Sequence, residues 1–296
     1  MSYRVRMSCE VRDWLATLLA EDHQVGRLVG EAVTVLFTGG TELKAPLVAP
    51  MESLLRARYP RVALDHAYQR QLELLQRARR SAADLATARK RLELQIGGGD
   101  LDQEALADTR QRYEELVAKE EQATFSAQRL QARVDAFRAR KEAIKAGYTA
   151  ALAKQEIHEA FAALGEKHML GMTADDMAPA RAAVDELLRV AADLEQQLDV
   201  DAAPEMLSEL RLETADLRLL FAAESPDTAV LLVVGIGRDE WEEWYGEALP
   251  LARAELQLDD NEFTSYDMAA FLAEYFPGEE AAIQAGADRL IELNRP

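Results

Sequence analysis

Cysteine is nearly missing from this chain: Cys9 is the single thiol in 296 residues. That excludes an internal disulfide framework and fits a reducing compartment. Aromatic residues are also scarce, at 6%, and Ala, Leu, Glu, Arg and Gln dominate the middle third, a bias of long helices rather than compact sheet cores. Long apolar runs are lacking. The longest, Ala229–Val234 and Met268–Ala273, are far too short to cross a bilayer, which takes about 20 residues. The first residues, MSYRVRMSCEVRDWL, have no apolar signal core, so a cytoplasmic protein is expected. Lysine stops altogether after Lys167.

What is present is ordinary in amount and uneven in placement. The chain is 49% hydrophobic and 29% charged, which argues against wholesale disorder. Its net charge of −19 is concentrated: residues 1–170 carry 26 Lys and Arg against 24 Asp and Glu, whereas residues 171–296 carry 8 against 29. So acidic a surface repels phosphate backbones unless it faces away from them. Two readings stay open, solubility alone or the masking of a basic surface in this chain or a partner.

Tyr3–Met7 alternates polar and apolar residues, as a short strand does. Ser8 can cap a helix presenting Val11, Trp14, Leu15, Leu18 and Leu19, and Asp22 a second one presenting Val25, Leu28, Val29, Ala32 and Leu36. A strand and a helical hairpin cannot close a core alone. After a proline-containing stretch, Leu43–Pro60, apolar residues recur at alternating spacings of three and four from Tyr68 to Ile96, with Gln71 and Arg89 as the polar exceptions. Gly97-Gly98-Gly99 breaks this helix, and Asp100 with Gln103 forms a capping-box pattern for the next. The second series runs from Leu106 to Ala151, and a third helix begins near Thr173. Sustained 3-4 spacing with charges between is a coiled-coil pattern. Lengths of about 37, 62 and 26 residues, at roughly 1.5 Å each, let the chain go out, return past its start and come back, bringing Pro60 and Val200 together.

Beyond that insertion the period shortens. Met206–Leu212, Leu217–Ala223 and Ala229–Val234 read as three strands of a meander, with Ser225-Pro226-Asp227 as a turn. These supply a sheet for the N-terminal strand. Asp239 caps a helix carrying Trp241, Trp244, Tyr245, Ala248 and Leu249, and Thr264–Phe276 and Gly278–Leu293 read as two amphipathic helices.

The outer pieces resemble the RelE/HigB superfamily of bacterial toxins, in its phage-derived branch. The residues carrying this are VRDWLATL (Val11–Leu18), RLVGEAVTVL (Arg27–Leu36), APLV (Ala45–Val48), ELR (Glu209–Arg211), LRLLFAAE (Leu217–Glu224), AVLLVVGIG (Ala229–Gly237) and EWEEWYGEALPLA (Glu240–Ala252). Residues Ala63–Ile96 and Arg133–Lys167 resemble phage-shock protein A, a coiled-coil membrane-stress protein, without that family's membrane-binding first helix. Ala285–Pro296 resembles the lead-in helix of helix-turn-helix antitoxins.

The expected fold is therefore α+β: a small RelE-like antiparallel sheet with packed helices, interrupted by a long antiparallel α-helical coiled coil. Residues 1–58 and 201–257 form the two halves of the toxin-like domain, 59–200 the insertion and 258–296 an acidic helical tail.

The resemblance implies a metal-independent endoribonuclease acting on ribosome-bound mRNA, or a catalytically degenerate descendant. In such chemistry cations stabilise charge building on the scissile phosphate while a base activates the 2′-hydroxyl. Arg211 and Arg218 match the family's strand arginines, and Arg238 and Tyr245 lie where a cation and an aromatic complete a site. Alternation with Leu210 and Leu212 turns Arg211 away from the core, to meet phosphate or to pair with Glu209 or Glu213. Five acids within Asp239–Glu247 weigh against catalysis. No cofactor is implied, and His23, His66, His158 and His168 have no metal-binding spacing. Expected partners are an antitoxin or other protein through the coiled coil or acidic tail, ribosome-bound mRNA, or a second copy. The alternative function is a non-enzymatic scaffold or stress-response regulator related to phage-shock protein A.

Overall fold

The computed structural model describes residues 3–39, 43, 47–98, 103–163, 177–197, 207–212, 216–225 and 227–293. In chain order the elements are β1 (Arg4–Ser8), α1 (Cys9–Glu21), α2 (His23–Gly39), β2 (Val48–Pro50), α3 (Met51–Arg58), α4 (Pro60–Gly97), α5 (Gln103–Ala163), α6 (Met177–Gln197), β3 (Leu207–Leu212), β4 (Leu217–Ser225), β5 (Thr228–Ile236), α7 (Trp241–Glu255), β6 (Phe263–Tyr266), α8 (Met268–Tyr275) and α9 (Glu280–Leu293). They divide into two compact units, Met1–Val62 with Asp201–Pro296, and Ala63–Val200.

The first unit is built on a six-stranded sheet in the order β2-β3-β4-β5-β1-β6. The meander β3-β4-β5 is antiparallel, as its short turns require, with Arg211 opposite Arg218 and Arg218 opposite Gly235. β1 lies parallel to β5, Met7 facing Leu231, so the sheet is mixed rather than wholly antiparallel. No hairpin links β1 to β5, and nothing local forces them to run in opposite directions. Its other edge pairs antiparallel with β6, Val5 opposite Tyr266.

Local chemistry sets the helices on one face. The Ser8 hydroxyl accepts a 3.2 Å bond from the Val11 amide and starts α1. Asp22 accepts from the amides of Gln24 and Val25 and starts α2. Between this pair and the sheet lies a core of Val5, Met7, Leu15, Val33, Leu36, Leu210, Leu219, Phe221 and Leu231, each such burial stabilising by roughly 1.5–3 kcal/mol. The residues expected as a tail complete that core. Phe271, Phe276, Ile283, Ala287 and Leu290 are all buried in it. Gly30 allows the contact, because a Cβ there would lie 2.3 Å from the Phe276 ring. The proline-containing stretch before α4 contributes β2 and α3, with Met51, Leu54 and Leu55 buried.

The second unit is a helical bundle. Asp65 takes Lys141 and Lys145 at 2.5 Å each, Tyr68 stacks on Phe137 at 6.4 Å, and Arg89 reaches Glu120 at 2.5 Å. As residue numbers rise on α4 their partners fall on α5, so the two are antiparallel. α6 packs through Val184, Leu187 and Ala191 against Leu64 and Phe137. It does not end level with the start of α4: Glu195 bonds Arg70 at 2.5 Å, some ten residues into that helix, or roughly 15 Å. α6 thus runs alongside the first turns of α4 as far as Arg70. Asp100, Thr173 and Val200, on which the capping and closure readings rested, fall outside the described residues. Past Leu75 on α4, and before Ala127 on α5, no described residue is fully buried.

Candidate functional site

The sheet has a second covered face. α7 packs on β5, and α3 packs on β2 and β3. Gly235 lets α7 approach, since a Cβ at that position would lie 2.5 Å from the Trp244 indole. Period-two alternation sends Glu209 and Arg211 of β3 and Arg218 of β4 to this face. Arg211 does turn away from the main core, yet α3 and α7 cover what the sequence left open. Its side chain is 10% exposed, as is that of Arg218, and Glu209 is 1% exposed. The expected exposed arginine is corrected to an enclosed one, because alternation tells the face and not whether a helix lies over it.

Three of the four expected residues meet there. Tyr245 Oη donates to Glu209 Oε1 at 2.6 Å, and Arg218 Nη1 donates to Tyr245 Oη at 2.7 Å and to Tyr59 Oη at 3.1 Å. Glu209 Oε2 lies 3.4 Å from Arg211 Nη2, and Glu209 Oε1 lies 3.7 Å from Arg218 Nε. The Arg218 guanidinium sits 3.8 Å from the Trp241 ring centroid, with the Tyr245 and Tyr59 rings at 5.3 and 6.0 Å. That is a cation–π enclosure. Trp241 is fixed by its Nε1 donating to Asp216 at 3.2 Å, and the first turn of α7 is tied down by a bidentate Arg61–Glu242 pair at 2.8 and 2.7 Å.

Arg238, the fourth, is exposed beyond the end of β5 and bonds to none of this cluster. Asp239 does not cap α7; Glu240 holds that position without a side-chain bond. Glu213, the other expected partner of Arg211, lies outside the described residues. Sequence reasoning missed Tyr59 as a member, and it named Glu209 as one of two partners open to Arg211, the pairing found here. Glu209 was legible because it shares the face of Arg211 two residues away; Tyr59 carries no local signal.

The electrostatics fit a closed cluster. Burial disfavours a charged Arg211, but Glu209, aided by Tyr245 and Tyr59, outweighs it and raises its pKa above the ordinary value. Burial first, then the charge and hydrogen bond of Glu209, push the Tyr245 phenol well above its ordinary 10.0, against the opposing effect of Arg218. A phenol held so firmly protonated is no base near neutrality. The two arginines share the carboxylate of Glu209. Among the described residues no three His, Cys, Asp or Glu side chains gather to hold a metal, and no helix is long and apolar enough to cross a membrane.

No family model matches the chain, and neither a curated protein nor a solved structure matches it significantly.

Proposed function

We propose that this chain is a cytoplasmic toxin–antitoxin-related protein whose RelE/HigB-like domain is a catalytically degenerate descendant, carrying a coiled-coil arm for interaction with a protein partner. One observation carries the degenerate over the active form: Glu209, 1% exposed, lies between Arg211 and Arg218 and occupies their charge. A cation that serves cleavage must meet the scissile phosphate, and these two meet a carboxylate and three aromatic rings. The acids of α7 lie beside this face, which further disfavours an RNA backbone.

The test adds the purified protein to translating ribosomes and maps mRNA ends by primer extension. Intact mRNA, with no growth arrest on induced expression, is the expected result. New cleavage ends that vanish in an Arg211→Ala/Arg218→Ala variant of unchanged circular dichroism would restore the ribonuclease reading. A second reading, a non-enzymatic scaffold related to phage-shock protein A, is favoured by the unbroken 61-residue helix α5.

A further inference from the structure

Where α6 no longer covers them, α4 and α5 form a two-helix arm with a groove of about 440 Å³ along one side. Its floor is apolar, made by the partly buried Ala88, Leu92 and Leu116. Its rim is cationic: Arg91, Arg112 and Lys119 outnumber Glu115. Arg112 is held by Asp108 at 2.9 Å, whereas Arg91 and Lys119 are exposed and make no ion pair among the described residues.

The complement of this groove is written elsewhere in the same chain. The outward side of α7 presents Glu243, Glu247 and Leu251 at steps of four, one stripe of a helix. Leu251 is 59% exposed, and neither glutamate makes an ion pair among the described residues. Gly246, beside the stripe, has open space above its backbone, so a partner helix can come close. The stripe spans roughly 12 Å and the α5 wall of the groove, Arg112 to Lys119, roughly 10 Å, at about 1.5 Å per residue. An acidic-apolar helix face thus matches a basic-apolar groove in sign, polarity and length.

We infer that the arm groove of one copy of this chain receives the α7 face of a second copy, Arg91 and Lys119 meeting Glu243 and Glu247 around Leu251. The two surfaces differ, so the contact is heterologous, adding copies head to tail until a ring closes or a filament extends. This goes beyond the proposed function and rests only on its reading of the arm as an interaction element. It also gives the uneven charge of the chain a role, acidic surface of one copy against basic surface of the next.

Sedimentation of the full chain over a dilution series, at low and high salt, tests it. Expected is a weight-average mass that climbs with concentration at low salt and falls to the 32.9 kDa monomer in high salt. The Arg91→Glu/Lys119→Glu and Glu243→Lys/Glu247→Lys variants each lose that climb, and mixing the two restores it. Circular dichroism of each stays unchanged, since all four side chains are exposed. A wild-type chain that is monomeric throughout, or a dimer indifferent to the α7 substitutions, overturns the inference. The ribosome assay is unaffected by either outcome, so the two proposals fail separately.

Discussion

Replacing Glu209 by Gln is the sharpest perturbation of the enclosed cluster. Gln keeps the shape and an oxygen for the Tyr245 hydroxyl, 2.6 Å away, and removes only the charge. Two guanidiniums, each on a side chain 10% exposed, then face one another across neighbouring strands without the Glu209 charge they share. Removing one member of a buried ion pair is destabilising by about 3–5 kcal/mol, mostly because the remaining charge stays desolvated. A change of that size is a large part of a typical stability of about 5–15 kcal/mol. At about 2–4 °C per kcal/mol for a domain of this size, the melting midpoint should drop by roughly 6–20 °C. Urea unfolding followed by circular dichroism measures it directly, with the denaturant slope unchanged if only stability moves. Adding Arg218→Met to Glu209→Gln should recover part of the loss, giving a coupling energy of about 0.5–3 kcal/mol. A Glu209→Gln midpoint equal to that of the wild type would refute the reasoning, because the arginines would then have to be solvated rather than enclosed.

Other consequences are open to the same instruments. Tyr245→Phe strips Glu209 of a donor and Arg218 of an acceptor and should be destabilising by about 1–3 kcal/mol in urea titration. Because the phenols of Tyr245 and Tyr275 are raised above 10.0 in the folded chain, their contribution is complete below that value. It is lost as pH climbs beyond it, since the unfolded phenols ionise first; alkaline melts should fall less steeply in the Tyr→Phe variants, whereas equal slopes would contradict the burial. Gly235→Ala drives a methyl into the Trp244 indole, 2.5 Å away, and should lower stability by about 1–3 kcal/mol, measured by thermal melting. In the bundle Lys141, 6% exposed, should tolerate Met with no loss in thermal melts, whereas Asp65→Ala should lower the midpoint by removing the anion that Lys141 and Lys145 share and leaving Lys141 with Glu142 alone.

How much of this was legible in the sequence depends on how local each cause is. The caps at Ser8 and Asp22, the three meander strands and the heptad partners Tyr68, Leu75, Leu130, Val134 and Phe137 rest on spacing within one segment, and spacing is what a sequence displays. β6 was absorbed into an expected helix from Thr264, because four residues, FTSY, become a strand only through pairing with β1 some 260 positions earlier. α3 went unread although Met51, Leu54 and Leu55 stand at helical spacing, since so short a helix is held by the sheet beneath it rather than by its own propensity. The parallel pairing of β1 with β5 had no local signature at all. For the site, alternation named the face of Arg211 and was silent about the helices covering it, and that silence left phosphate contact and pairing with Glu209 equally open.

Those same coverings explain why α8 and α9, within the expected tail of residues 258–296, are not a detachable element. A cation is kept open to RNA by leaving its sheet face bare; here α3 and α7 close one face, and α1, α2, α8 and α9 close the other. Phe271, Phe276 and Ile283 are each 1% exposed or less, so separating α8 and α9 from the sheet would expose apolar surface at roughly 25 cal/mol per Å². A restraining element that lifts away from a catalytic face needs a polar, exchangeable contact. The C-terminal helices make an apolar, permanent one, on the side of the sheet opposite Arg211 and Arg218. The acids of α7 that face outward, Glu243 and Glu247, make no ion pair among the described residues and remain free to meet another surface.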